Sequence, residues 1–215
     1  MKVAGRLATI EKEFKRIGLL LQHDRELPSF TTLVAGTPIA GSWWGHRRGK
    51  DIYQLLEDFH RGSGALSAKL VNGKITYVHR RLWQAFLELA LHGQRTRARM
   101  LSAPAKSLYK IVLEKEIVRV DELTAAGFAA SKELTVAARE LEESILVHGD
   151  SLHTTSGLHT KVLRSWPGWA SANKIALSPS YSIGRARREF TEALNRLKGD
   201  SVRSLTLPLP VERRR

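Results

Sequence analysis

The chain has 215 residues, 42% apolar and 26% charged, which suits a folded protein of one domain or two to three small ones. Lys and Arg number 35 against 21 Asp and Glu, giving +14 with neutral histidine, so polyanions are the partners to expect. Cysteine is absent, which excludes disulfides, thiolate nucleophiles and cysteine-held zinc or iron–sulfur centres.

No apolar run approaches the ~20 residues that cross a bilayer. The opening "MKVAGRLATIEKEFKR" is too charged for a secretory leader. The expectation is a cytoplasmic protein, nucleoid-associated if bacterial, with no membrane partner. Residues 9–22 then place Ile10, Phe14, Ile17 and Leu21 at helical spacing, with Glu11, Lys12, Glu13 and Lys15 on the other side. This helix should stop before "DRELPSF", where Pro28 breaks the pattern, and a turn-rich stretch follows through "AGTPIAGSWWG". A second helix starts at Asp51, turns Ile52, Leu55, Leu56 and Phe59 inward, and ends at Gly62 and Gly64. Asn72-Gly73, between "AKLV" and "KITYV", is the strongest hairpin signal in the chain. From about Arg80 the period is helical again, with Leu82, Phe86, Leu89 and Ala90 as the buried stripe.

Pro104 suits the first turn of a helix whose Leu108, Ile111 and Val112 face inward. "VRVDELTAAG" predicts a short helix capped by Asp121 and stopped by Gly127. "SKELTVAARELEES" predicts a third, capped by Ser131, with Leu134, Ala137, Ala138 and Leu141 inward. "ILVHG", the polar "DSLHTTSGLH" and "TKVLRSW" read as a hairpin with a long tip. The tail holds "WPGWASANKIALSPSYS", then a helix of about 183–198 with Ile183, Phe190, Leu194 and Leu197 inward, and an extended "LTLPLPVERRR".

Three helices and a hairpin over residues 104–166 resemble a winged helix-turn-helix domain, with the helix of 131–143 in the recognition position. A βαβ unit would need a parallel strand before the first helix, which this segment lacks. The 43–93 stretch reads as a second, irregular unit of the same kind. The expected fold class is therefore mainly α with small β-hairpins, as tandem winged-helix-like modules. Its expected segments are a lead-in at 1–42, a basic unit at 43–100, a winged unit at 104–166 and a basic helix and tail at 167–215. Tandem winged domains resemble those of transcription regulators and of bacterial DNA glycosylases that unhook alkylated or crosslinked bases. The glutamine-x-glutamine motif of those glycosylases has no counterpart here.

Charge is uneven along the chain. Residues 43–110 carry 13 bases and 4 acids, 161–215 carry 12 and 4, and 111–160 carry 4 and 9. Within the first basic region, "GSWWGHRRGK" combines Trp43, Trp44, His46, Arg47, Arg48 and Lys50. Cations neutralise phosphates and indole faces stack on unpaired bases; alternatively, one tryptophan fills the core and the cations only solvate a loop. Lys69 and Lys74 bracket the hairpin turn and Arg80 and Arg81 follow it, as the basic rim of a wing would. Arg95, Arg97 and Arg99 form a phosphate-binding cluster or a merely soluble linker. On the acidic unit only Lys132, Thr135 and Arg139 suit DNA, with Lys161 and Arg164 on its hairpin and Arg185 and Arg188 on the last helix.

The partner expected is nucleic acid, double-stranded DNA first, bound without strong sequence preference in repair, defence or regulation. Three alternatives stand beside it. The first is a metal-independent glycosylase or abasic-site lyase, with His46, Lys69, Lys74, His153 and His159 as catalytic candidates. The second is RNA binding. The third is a protein scaffold acting through 111–160. The spacing of His148, His153, His159 and Asp150 matches no compact metal motif. No Walker loop, dinucleotide fingerprint, zincin or nucleophile-elbow motif occurs, so no cofactor is expected.

Overall fold

The computed structural model describes residues 3–153, 159–176, 178 and 180–211, with the backbone alone for Val3, Ala4 and His153. The protein is mixed α/β with helices predominant and two small antiparallel sheets of three strands. Its residues group into two compact units. Among the described residues, unit 1 runs to Phe86 and adds Gly184–Leu207, and unit 2 is Leu87–Ile183 with 208–211.

Unit 1 begins with α1 (Val3–Ile17), β1 (Leu19–Leu21), α2 (Phe30–Ala35), a 3₁₀ turn at Trp43–Gly45 and α3 (Gly49–Ser63). The hairpin β2 (Leu66–Val71) and β3 (Lys74–Val78) follows, and α4 (Trp83–His92) carries the chain across the division at Phe86. The expected first helix stops five residues short of its predicted end, at Ile17. Gly18, at φ +92°, donates to the Phe14 carbonyl at 2.7 Å and turns the chain out of the helix. A Cβ at Gly18 would lie 2.8 Å from both the Arg81 guanidinium and the Leu82 Cδ1. Leu19, Leu20 and Leu21 then pair with Val78, Tyr77 and Thr76 as an edge strand, all three leucines fully buried. A continuous apolar triplet has no period of its own, so in sequence it is indistinguishable from the end of the helix before it.

The short α2 lies inside the stretch expected as turns. Ser29 caps it by accepting from the Thr32 amide at 3.3 Å, and Gly36 closes it at φ +84°. Phe59 of α3 joins these pieces, meeting Phe14 of α1 at 5.2 Å, Phe30 of α2 at 5.3 Å and Tyr77 of β3 at 5.3 Å between ring centres. Burying each such aromatic or leucine contributes roughly 1.5–3 kcal/mol. Asn72 and Gly73 adopt φ +54° and +68°, the left-handed pair that a two-residue hairpin turn requires.

Unit 2 continues from the second half of α4 through α5 (Gln94–Arg99), α6 (Ala103–Lys115), β4 (Ile117–Arg119), α7 (Val120–Ala125) and α8 (Ser131–Glu143). The hairpin β5 (Val147–His153) and β6 (His159–Ser165) and then α9 (Trp166–Ala172) complete it. Leu108 and Val112 of α6 pack with Leu134, Ala137, Ala138 and Leu141 of α8 and with Val147 and Leu163 of the hairpin. The predicted inward faces are therefore the observed ones, with Ile111 half-buried.

The predicted caps differ. Ala130 occupies the cap of α8 and Ser131 is its first helical residue, while Arg119 precedes α7 and Asp121 lies within its first turn. Asp121 instead accepts from Arg119 Nη2 at 2.6 Å and from the Thr160 hydroxyl at 3.0 Å, linking α7 to β6. The three-residue β4 and the seven-residue α9 were not expected. Ser165 caps α9, accepting from the Gly168 amide at 3.2 Å, and Pro167 sits in its first turn.

Last comes α10 (Ile183–Lys198), at the expected position, with Ala186, Phe190, Ala193, Leu194 and Leu197 buried in unit 1. Arg196 donates to the Ile17 carbonyl at 3.2 Å and Arg81 to the Arg16 carbonyl at 3.1 Å, so two guanidiniums satisfy the end of α1. Both units share one order, helix, strand, helix, helix, strand, strand, and in both the last strand lies between the other two. The first copy starts at α1 and its last strand ends at Val78. This departs from the expected 1–42 and 43–100 segments because Ile10 and Phe14 share a core with Ile52, Leu55 and Phe59.

Candidate nucleic-acid interface

In unit 1 the stretch between α2 and α3 is held by a chain of local bonds. The His23 ring contacts the Thr31 hydroxyl at 2.8 Å and the Gly41 carbonyl at 2.9 Å. His46 donates its amide to the Trp43 carbonyl at 3.1 Å, and its Nδ1 accepts from the Arg48 amide at 3.2 Å. In the neutral ring that places the proton on Nε2. A Cβ at Gly49 would come within 2.7 Å of the Trp44 carbonyl oxygen, so the glycine lets α3 start directly against the turn.

One tryptophan fills the core and the other stays on the surface. Trp43 is buried among Ile39, Ile52 and Leu56, whereas Trp44 is 64% exposed. The two indoles stack at 4.1 Å between centres and 22° between planes, and Tyr53, also exposed, leans on Trp44 at 5.6 Å. Tyr53 was not among the sequence candidates. Its placement four residues into α3 beside a preceding aromatic turn is the signal that would have found it. Of the three cations, Arg48 is occupied, donating to Asp51 at 3.4 Å and to the Ala35 carbonyl at 3.5 Å. Arg47 and Lys50 are exposed and have no ion-pair partner among the described residues.

The hairpin cations divide differently. Lys74 does not project from the turn: its Nζ lies 2.6 Å from Asp24 Oδ2, and Asp24 is buried. Burial pushes the Asp24 carboxyl up. The Lys74 ammonium and the Glu26 and Leu27 amides outweigh that and hold it at about 2. Lys74 is thus a fixed counter-ion, which removes it from the catalytic and phosphate-binding candidates. Arg81 is taken by the end of α1, while Arg80 is exposed. Lys69 is half-buried opposite Ile75, next to the bulge in β2.

In unit 2, Arg97 is half-buried, donating to the Ala90 and Ile145 carbonyls, so it braces the backbone and does not face a phosphate. Burial pushes its guanidinium down from the ordinary arginine range. Arg95 and Arg99 on the same helix are exposed. Lys132, Thr135 and Arg139 lie on the outer face of α8, interleaved with exposed Glu133 and Glu143. Lys161 is a further correction: its Nζ lies 2.7 Å from the buried Glu142. Arg164 is half-buried opposite His148 across β5 and β6.

His148 is itself buried, its ring against Trp166 and Trp169 at 5.9 and 5.8 Å, and burial pushes it below the ordinary histidine range. His159 is exposed, and the side chain of His153 lies outside the described residues. Among the described residues no three histidines and carboxylates are grouped to hold a metal ion. On α10, Arg185 pairs with Glu189 at 2.8 Å, and Arg188 is exposed.

The structure therefore brings together Trp43, Trp44, His46, Arg47, Arg48 and Lys50 of the predicted set, and adds Tyr53. Of the residues named as catalytic, His46 belongs to this surface, whereas Lys74 is paired with Asp24. Among the described residues, unit 1 holds 19 basic and 10 acidic side chains and unit 2 holds 12 and 10. No family model, curated protein or solved structure matches the chain.

Proposed function

We propose that the protein is a sequence-tolerant DNA-binding protein of tandem winged-helix type, acting in repair, defence or regulation, and that unit 1 is its main DNA-gripping part. The observation that carries this reading is the position of the free cations. Arg47 and Lys50 stand at the start of α3, the third helix of unit 1. In a winged helix-turn-helix domain that helix enters the major groove by its N-terminal end. The order of elements in both units, with the third strand central, suits the same architecture. Unit 2 contributes less in this reading, because Glu133 and Glu143 flank the cations of α8.

Phosphate contacts make affinity depend steeply on salt. Binding to a duplex by fluorescence anisotropy should weaken by about 10³-fold or more between about 50 and about 200 mM salt, given six or more contacts. Arg47→Ala and Lys50→Ala should each flatten the log–log slope by about 0.9. Equal affinity at both salt concentrations would refute the proposal, and tighter binding of structured RNA than of duplex DNA would favour the RNA alternative. The lyase alternative is weakened by the Lys74–Asp24 pair, since a Schiff-base lysine has to lose its proton and Lys74 faces a carboxylate.

A further inference from the structure

We infer that Trp44 is a stacking site for an unpaired nucleobase, so that the protein prefers nucleic acid with an exposed single-stranded segment over fully paired duplex. The inference rests on the DNA-binding reading above. One face of the Trp44 indole lies on Trp43 at 4.1 Å, nearly parallel. With that face covered, an exposure of 64% belongs mainly to the opposite face and the ring edges.

An aromatic surface of this kind costs free energy in water, and the rest of the stretch is built to hold it in place. Trp43 is anchored in the core, the His46 and Gly49 bonds fix the turn, and Tyr53 forms a wall at 5.6 Å and 39°. A ring held this way loses little freedom when a second ring stacks on it. The chemistry beside it selects what that ring is. Arg47 is three residues from Trp44 and Lys50 six, both exposed and neither neutralised by a described carboxylate. A flat apolar face next to two free cations fits a base attached to its phosphate, and stacking tolerates any base because each has a π-face. Paired bases inside a duplex offer no such face, so the ligand has an overhang, a gap or an extruded base.

The test compares a blunt duplex with one carrying a five-nucleotide single-stranded overhang, matched for total phosphates. Anisotropy gives affinity and quenching of tryptophan fluorescence reports stacking. The overhang should bind about 5- to 150-fold more tightly, the range expected for one stacked base. Trp44→Leu should bring the ratio of overhang to blunt-duplex affinity down to about 1 and abolish the quenching. Trp44→Phe, which keeps a ring and tests the point should the leucine variant fold poorly, should retain part of the affinity advantage while losing the Trp44 fluorescence signal.

Equal binding of the two substrates, with salt-dependent duplex binding intact, would overturn the stacking site and leave the DNA-binding reading standing. So would an overhang advantage that survives in Trp44→Leu. Self-association of the wild type that Trp44→Leu relieves, without any overhang advantage, would make the patch a protein contact and overturn the inference. Failure to bind either substrate at low salt would overturn both readings.

Discussion

Replacing Lys74 by methionine should cost stability and spare DNA affinity, because the structure makes this lysine a counter-ion for buried Asp24. The fall of the Asp24 carboxyl from 3.8 to about 2 corresponds to about 2.4 kcal/mol in favour of its charged form. Lys74 supplies part of that, the Glu26 and Leu27 amides the rest, and Arg203 stands by at 3.7 Å. The lysine is 40% exposed, so water screens part of the attraction. The expected loss at neutral pH is therefore about 1–3 kcal/mol, read as the free energy of urea unfolding followed by circular dichroism.

Acid provides the control. A carboxyl depressed in the folded state contributes its stability above about pH 4, and that contribution disappears as the pH falls through about 2. The gap between wild type and Lys74→Met should narrow over that window. Asp24→Asn combined with Lys74→Met should lose less than the two single changes summed. A loss below about 0.5 kcal/mol at neutral pH, or one that is undiminished in acid, would refute the assignment of Lys74 to the fold.

Two further predictions concern unit 2. At Gly149 a Cβ would collide with the Glu142 carboxylate, so Gly149→Ala should push Glu142 off Lys161 and lower unfolding free energy by about 2–4 kcal/mol in urea titrations; a neutral effect would show that the carboxylate has room to move. Burial depresses His148 below its ordinary 6.5, so the unfolded chain takes up its proton first as pH drops. Stability should then be full above about pH 6.5 and decline below it, and His148→Phe should remove that part of the decline in unfolding measured across pH; an unchanged profile in the variant would place the acid sensitivity elsewhere.

Much of the architecture was legible in the residues. The inward faces of α3, α8 and α10 and the Asn72-Gly73 turn follow from local period and backbone preference, so the sequence alone determined them. The joint presence of aromatic rings and cations at 43–50 likewise marked the candidate surface before any fold was known. Tertiary structure decided the rest. Strands β1 and β4 have three residues each, too few for a period, and exist because β3 and β6 offer them hydrogen bonds from distant parts of the chain. It also separated exposed cations from those held by partners within the fold. Lys74 meets a carboxylate 50 positions away, Arg81 a carbonyl 65 away and Lys161 a carboxylate 19 away. Arg47 and Lys50 have no such partner among the described residues. A side chain's type fixes its charge, but whether that charge is spent inside the molecule depends on which groups folding brings within a few ångströms, and local sequence does not encode that distance.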